Sequence, residues 1–132
     1  MKYLLDTNIL VSHLRGKRAI PLNYLEHGSV VSVITQAELF YGAYKSKRPK
    51  YNLNKVKQMF ADLKIEIQPL EEEILEIYGR LKANLEKKGK RLDEFDLLIA
   101  ATALSLGLTL VTRNVKHFSR IPRLKIARWG NK

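Results

Sequence analysis

Short apolar segments alternate with longer stretches of helical periodicity along the 132 residues of this chain. The apolar segments have the length and the β-branched content of buried strands, and they lie at 3–5, 29–34, 65–67, 108–111 and 125–127. Between them, apolar residues recur every three or four positions, which predicts helices, at 8–14, 21–26, 35–44, 53–63, 70–88 and 93–106. This alternation predicts an α/β fold in which helices cover both faces of a mostly parallel sheet of four to five strands.

The length and composition predict a single domain, 1–132, that needs no disulfide or structural metal to bury a core. Hydrophobic residues make up 45% of the chain and charged residues 28%, as in soluble globular proteins. No apolar run reaches the length of a membrane span, and Asp6 stands where the apolar part of a signal peptide would continue. We therefore expect a cytoplasmic protein without membrane association. The absence of cysteine excludes disulfides, thiolate zinc sites and cysteine nucleophiles.

The charge of the chain points to a polyanionic partner. Lysine and arginine number 24 against 13 acids, which gives a net charge of +11. The segment 45–57 carries six cations and no acid, and no Asp or Glu follows Asp96. A soluble basic surface would account for any one such segment. Because the same sign recurs in separate segments, we favour a surface that follows a phosphate backbone, with nucleic acid as the partner.

Three acids lie next to strongly apolar segments. Asp6 follows YLL, Glu38 comes shortly after SVVSVIT, and Asp96 precedes LLIAATAL. Ligands of parallel sheets collect beyond the carboxyl ends of the strands, where the following helices begin. Asp6 and Glu38 fall at that edge by sequence order, and Asp96 lies in the first turn of a helix that can point to it. We expect the three carboxylates to converge there.

Helix capping is the alternative explanation for each of these acids. Asp is a good N-cap residue, and the turn after the first strand needs one. The pattern Thr35-x-x-Glu38 is that of a capping box, and Asp93-x-x-Asp96 offers an Asp cap with an acid three residues later. Taken separately, capping and chemistry explain each site about equally well. Three helix starts that bring an acid to one edge, in a chain with few acids, favour chemistry.

Carboxylates that lie close together repel each other and raise each other's pKa, and a divalent cation removes this cost. Mg²⁺ or Mn²⁺ takes oxygen ligands and pairs with carboxylates and substrate phosphates. An acidic metal site on a basic protein therefore predicts phosphodiester hydrolysis.

The three histidines do not form a recognisable acid–base arrangement for phosphodiester cleavage. His13 and His27 are expected to be structural or exposed, whereas His117 lies in the last turn near Asn114, where it is a candidate nucleic-acid contact.

Four motifs, in this order and at these separations, resemble the PIN-domain ribonucleases of the VapC toxin type. They are LLDTN at 4–8, VITQAELFYG at 33–42, DLLIAATAL at 96–104 and LTLVTRN at 108–114. Together they cover nearly the whole chain. The segments AYKSKRP at 43–49, GKRLDEFD at 89–96 and FSRIPRL with RW at 118–129 resemble the branch of VapC toxins that cleaves initiator tRNA in its anticodon loop.

This resemblance implies an α/β/α sandwich and an endoribonuclease that depends on Mg²⁺ or Mn²⁺. A metal-activated water would attack the phosphorus in line and leave 5′-phosphate and 3′-hydroxyl ends. The resemblance also implies a homodimer and a type II toxin–antitoxin system, in which the C-terminal segment of a VapB antitoxin occupies the active site.

By motif, Asp6, Glu38 and Asp96 match the three acidic metal-site positions of the family. Asn114 matches a fourth position that is Asp in many members. Because no acid follows Asp96, a fourth carboxylate cannot come from this turn, and a tightly held second metal is in doubt; Asp93 or Glu94 remains open as a substitute.

The remaining candidate residues support the pocket or bind RNA. Thr7 and Thr112 match hydroxyl residues that support the family's pocket. Phosphate contacts are expected first from the cations that flank Asn114 and then from the basic segment: Arg113, Lys116, Lys45, Lys47 and Arg48.

Two other functions stay open at this point. A PIN nuclease that processes ribosomal or transfer RNA would share the fold without being a toxin. A non-catalytic RNA-binding domain would use the three acids only as helix caps.

Overall fold

A five-stranded parallel sheet forms the centre of the computed structural model, which describes residues 2–26 and 28–129. The strands are β1 (Tyr3–Leu5), β2 (Ser29–Ser32), β3 (Glu66–Gln68), β4 (Thr109–Thr112) and β5 (Ile126–Arg128). Their order across the sheet is β3-β2-β1-β4-β5, and all four pairings are parallel. The predicted α/β class and the number of strands are confirmed.

Seven helices are present in the described part of the chain. They are α1 (Thr7–Leu14), α2 (Leu22–Leu25), α3 (Val33–Lys45), α4 (Pro49–Leu63), α5 (Glu72–Lys87), α6 (Glu94–Leu106) and α7 (Val115–Phe118). The six predicted helices are confirmed, although α4 begins four residues earlier than predicted because Pro49 stands at its first turn, where proline is tolerated. The single turn α7 was not predicted. Within the described ranges, no helix is long and apolar enough to cross a membrane.

The boundary between β2 and α3 differs from the prediction. The strand ends at Ser32 rather than at residue 34, because the Ser32 hydroxyl accepts a hydrogen bond from the Ile34 N–H at 3.0 Å and caps the helix. The predicted capping box at Thr35 and Glu38 is therefore wrong. Both residues lie inside α3, so capping does not explain Glu38.

Strand residues alternate between two hydrophobic cores, one on each face of the sheet. Leu5 and Val31 pack on one face with residues of α1, α3 and α4. On the other face, Leu4 and Val30 pack with residues of α5, α6 and α7. The three-layer α/β/α sandwich is thus confirmed.

The register of the central strands brings their carboxyl ends together. Leu5 pairs with Val111, and the next backbone N–H, that of Asp6, donates to the Val111 carbonyl at 3.0 Å. Asp6 and Thr112 are therefore neighbours at the edge from which α1 and α7 begin. β2 flanks β1 on its other side and leads into α3. The carboxyl ends of β1, β2 and β4 thus lie side by side at one edge of the sheet, and the turns that follow them meet there.

Candidate active site

Asp6 is a buried carboxylate held by hydrogen bonds at the end of the central strand. It is only 5% exposed. One oxygen, Oδ1, accepts from the Thr7 N–H at 2.8 Å, so Asp6 does cap α1. The other, Oδ2, accepts from the buried Thr112 hydroxyl at 2.7 Å. Burial raises the pKa of Asp6, and these two hydrogen bonds oppose the rise. Capping is therefore one role of Asp6, and it leaves the burial of the charge unexplained.

Glu38 reaches the same edge from the second turn of α3 and is tied to α1. Its Oε1 accepts from the Thr7 hydroxyl. Because the proton of Thr7 is used in that bond, the Thr35 hydroxyl, 3.0 Å away, donates to Thr7. Burial raises the pKa of Glu38, the bond from Thr7 lowers it, and the charges of Asp6 and Asp93 raise it further. The hydroxyl chain Thr35–Thr7–Glu38 fixes one carboxylate oxygen.

Asp96 completes the group from the first turn of α6. Its pKa is raised to about 6 by burial, followed by the negative charges of Asp6, Asp93 and Glu38. The structure therefore brings the three predicted acids close enough for their charges to interact. Among the described residues, all charged groups that shift the pKa of Glu38 or Asp96 are carboxylates. The three acids therefore form a cluster of negative charge.

The chemistry of this cluster fits a divalent cation of the Mg²⁺ type. The donors are carboxylate oxygens, which such ions prefer, and a cation would relieve the mutual repulsion that raises the pKa of Asp96. Within 2–26 and 28–129, no three His, Cys, Asp or Glu side chains form a ready-made ligand set. Mg²⁺ commonly binds through one or two carboxylates and keeps several waters. The cluster suits that open mode of binding rather than a closed cage.

Asn114 lies at the same edge, two residues beyond Thr112. Its backbone N–H donates to the Thr112 hydroxyl oxygen at 2.9 Å. Thr112 therefore links Asp6 and Asn114 directly. The Asn114 side-chain Nδ2 lies 2.8 Å from Nδ1 of His117. With Nδ2 directed to the ring nitrogen, the amide oxygen is the atom of Asn114 that could bind a cation. A direct contact of His117 with RNA remains a prediction.

Asp93 and Glu94, the two possible substitutes for a fourth carboxylate, differ in their surroundings. The Glu94 carboxylate accepts hydrogen bonds from the Tyr78 hydroxyl and the Lys82 ammonium, which compensate its charge. Asp93 is the N-cap of α6 and accepts from the Phe95 N–H at 3.1 Å. Its charge nevertheless raises the pKa of Glu38 and Asp96. Of the two, Asp93 is electrostatically part of the cluster.

The predicted RNA-binding cations are exposed on two sides of the site. Arg113 and Lys116 flank Asn114, and Lys45, Lys47 and Arg48 lie at the end of α3 and in the turn that follows it. A cavity of about 370 Å³ between α1, α3 and α4 includes Glu38 in its lining, together with Arg15 and Lys55. Arg15 and Lys55 thus lie beside Glu38, and the role of the five predicted cations in binding RNA remains a prediction.

The other two histidines are His13 and His27. His13 is structural, as predicted, because its Nδ1 accepts from the Ile20 N–H at 3.1 Å. His27 lies outside the described residues.

Thr35 is a member of the site that the sequence alone does not identify. It is fully buried and donates to Thr7, but the overlong β2 prediction assigned it to a helix cap. A threonine three residues before Glu38 lies on the same face of a helix. With α3 beginning at Val33, this spacing places Thr35 beside Glu38 and would identify it as a candidate for the site.

The chain is similar to known proteins along nearly its whole length. The sequence model of the PIN domain matches residues 3–124. Ribonuclease VapC2 of Haemophilus influenzae is 37% identical over 133 residues, covering 98% of each chain. The tRNA(fMet)-specific endonuclease VapC of Shigella flexneri is 31% identical, covering 98% of this chain and 99% of that protein. The crystal structure of VapBC2 from Rickettsia felis bound to a promoter DNA fragment superimposes with a TM-score of 0.90 at 36% identity, covering 98% of this chain and 100% of that one.

Proposed function

The chain belongs to the PIN-domain family, among the VapC-type ribonucleases, and from this premise we propose that it is the endoribonuclease toxin of a VapBC toxin–antitoxin pair. The observation that carries the proposal is the convergence of Asp6, Glu38 and Asp96 at the carboxyl edge of the sheet. Burial raises the pKa of all three, the charge of Asp6 also raises that of Glu38, and the charges of Asp6 and Glu38 also raise that of Asp96. Such a cluster is costly to the fold and is explained by a cationic ligand.

Asp6, Glu38 and Asp96 would hold Mg²⁺ or Mn²⁺, with Asn114 as a neutral fourth member. When bound, such an ion supplies a water of lowered pKa and neutralises charge on the phosphoryl oxygens. Because three acids and one amide carry less charge than four acids, the proposal requires only one tightly held ion.

The protein's own contribution is orientation. The Thr112 hydroxyl and the Thr7 N–H each hold one oxygen of Asp6, and the Thr7 hydroxyl holds Glu38. The carboxylates therefore do not have to reorganise when the substrate arrives. Arg113 and Lys116 would hold the phosphates on either side of the scissile bond. Hydrolysis by water leaves 5′-phosphate and 3′-hydroxyl ends and does not need the 2′-hydroxyl.

For the substrate, we propose initiator tRNA, cut in its anticodon loop. The Shigella relative is named a tRNA(fMet)-specific endonuclease, and the segments 43–49 and 89–96 resemble that branch. Incubation with total tRNA and mapping of the cut ends tests this point. Scattered cleavage, or cleavage of messenger RNA alone, would contradict it.

For partners, we propose a VapB-type antitoxin and a second copy of the chain. The superposition on a VapBC complex over the whole chain supports the antitoxin. The chain and these partners would act in the cytoplasm, where the RNA substrate is found.

The decisive experiment compares Asp6→Asn with the unmodified chain. Asparagine still caps α1, so the fold is retained, but a ligand charge is lost. We expect EDTA-sensitive cleavage by the unmodified protein and none by Asp6→Asn, with unchanged circular dichroism. Asp62→Asn, at an exposed acid of α4 outside the cluster, is the matched control and should cleave normally. Cleavage by Asp6→Asn at the normal rate would refute the proposal and leave an RNA-binding domain with capping acids.

A further inference from the structure

Two tyrosines next to the site are exposed and carry cations over their rings. Tyr41 on α3 is 66% exposed and Tyr51 on α4 is 48% exposed. The Lys45 ammonium lies 5.4 Å from the ring centre of Tyr41. Tyr51 has the Arg48 guanidinium at 4.1 Å and the Lys55 ammonium at 5.6 Å. We call these five residues the tyrosine–cation surface.

This surface is continuous with the candidate active site. Tyr41 and Lys45 lie three and seven residues after Glu38, so they share its side of α3. Lys55 contacts the Tyr51 ring and also lines the cavity that includes Glu38. Lys55 therefore joins the Tyr51 ring to the cavity beside Glu38, and Tyr41 lies next to Glu38 on α3.

The relative position of the two helices is fixed at this point. The Asn52 side-chain Nδ2 donates to the Ser46 hydroxyl at 2.8 Å, and that hydroxyl donates to the Ala43 carbonyl at 2.6 Å. The first turn of α4, which carries Tyr51, is thus attached to the last turn of α3, which carries Lys45. The surface is presented by two packed helices rather than by a loose loop.

Intramolecular stability does not explain the arrangement. Exposed cation–π pairs contribute little to folding, and Tyr41 and Tyr51 remain 66% and 48% exposed. The segment 45–57 has no acid that could pair with its six cations. Aromatic faces for bases and cations for phosphates are the two components of surfaces that bind single-stranded nucleic acid.

Building on the ribonuclease function proposed above, we propose that the tyrosine–cation surface binds unpaired bases of the substrate RNA by stacking on Tyr41 and Tyr51. A base that stacks on Tyr51 takes the place of the Arg48 guanidinium, which then becomes available to a phosphate. Paired RNA keeps its base faces inside the helix. The surface therefore selects loops over duplexes and leads the strand toward Glu38.

Binding by a cleavage-deficient full-length chain tests the proposal without depending on catalysis. Fluorescence anisotropy of Asp6→Asn is measured with an RNA hairpin that has an unpaired loop and with a blunt RNA duplex of equal phosphate number. Tyr41→Leu and Tyr51→Leu are each added to this background. We expect each to weaken hairpin binding at least about fivefold, from the energy of base–aromatic stacking, and to leave duplex binding nearly unchanged. Lys45→Gln should weaken both and reduce the salt dependence.

Tyr44→Leu is the matched control. Tyr44 is 63% exposed on α3, but it lies about 120° around the helix from Glu38, whereas Tyr41 lies about 60° away. The Tyr44→Leu variant should bind the hairpin and the duplex as tightly as the parent Asp6→Asn chain. If the Tyr41 and Tyr51 variants bind the hairpin as tightly as the Asp6→Asn parent, the proposal is overturned. It is also overturned if they lose as much affinity for the duplex as for the hairpin. A smaller particle mass in light scattering for these variants would also overturn it and assign the surface to contact between copies. Wild-type cleavage, measured separately, decides the ribonuclease function.

Discussion

Neutralising Asp96 should make the metal-free protein more stable. The pKa of this carboxyl is raised from about 3.8 in the unfolded chain to about 6 in the folded protein, by burial and by the charges of Asp6, Asp93 and Glu38. The folded state therefore holds the proton more tightly than the unfolded state. The stability that this group contributes is complete below about pH 4 and is lost as the pH rises through about 6. Asp96→Asn is uncharged throughout and avoids this loss.

The expected gain follows from the size of the pKa shift. The whole shift corresponds to at most about 3 kcal/mol at neutral pH. Because the Asp96 side chain is only partly withdrawn from water, solvent screening reduces the gain to about 1 kcal/mol. For a domain of this size, that raises the melting temperature by about 4 °C.

Thermal unfolding followed by circular dichroism in EDTA measures this gain. Asp96→Asn should melt higher than the unmodified chain at about pH 7.5, and the two should converge as the pH falls below 3.8, where the carboxyl becomes protonated in both states. Saturating Mg²⁺ should raise the melting temperature of the unmodified protein more than that of the variant. Asp62→Asn serves as the control for an exposed acid. A variant that melts lower in EDTA at neutral pH, or a difference that does not change with pH, would refute the electrostatic reasoning.

Three further outcomes are expected. Thr112→Val removes the donor to Asp6 and the acceptor of the Asn114 N–H, so urea denaturation should show a loss of about 1 to 3 kcal/mol; an unchanged midpoint would mean that these bonds contribute nothing. Lys64→Gly relieves a left-handed residue at φ 53° that ends α4 and should raise the stability in the same assay by up to about 1 kcal/mol; a decrease would show that the lysine side chain is needed there. EDTA should abolish RNA cleavage and excess Mg²⁺ or Mn²⁺ should restore it, and cleavage that persists in EDTA would exclude the metal-dependent mechanism.

The centre of the sheet was predictable because its three central strands are largely buried. Leu4 and Leu5 pack into opposite cores, so an uninterrupted apolar run was the right signal for β1. The same signal failed at Val33 and Ile34, which continue the apolar run of β2 but belong to α3. A run of apolar residues does not distinguish a buried strand from the start of a buried helix. The Ser32 cap decides between them, and its bond is visible only in three dimensions.

The identity of the candidate acids was also predictable, but their connections were not. Asp6, Glu38 and Asp96 stood out because each adjoins an apolar block. The bonds from Thr112 to Asp6 and from Thr35 to Thr7 join residues that are 106 and 28 positions apart. Hydrogen bonds between residues so far apart in the chain depend on the order and register of the strands, and the local pattern of apolar residues does not reveal either. The hydrogen bond from Tyr78 to Glu94 and the ion pair of Glu94 with Lys82 likewise depend on the packing of α5 against α6.

The order of the strands also bears on the protein's synthesis. β1 leaves the ribosome first, but it lies between β2 and β4, and the partner of Asp6 at Thr112 is made 106 residues later. A nascent chain that lacks β4 leaves one side of β1 unpaired and Asp6 without the hydroxyl that orients it. The acidic cluster therefore cannot be completed before β4 has been translated and has joined the sheet. For a nuclease, this order of assembly means that the site is finished after most of the fold around it is already in place.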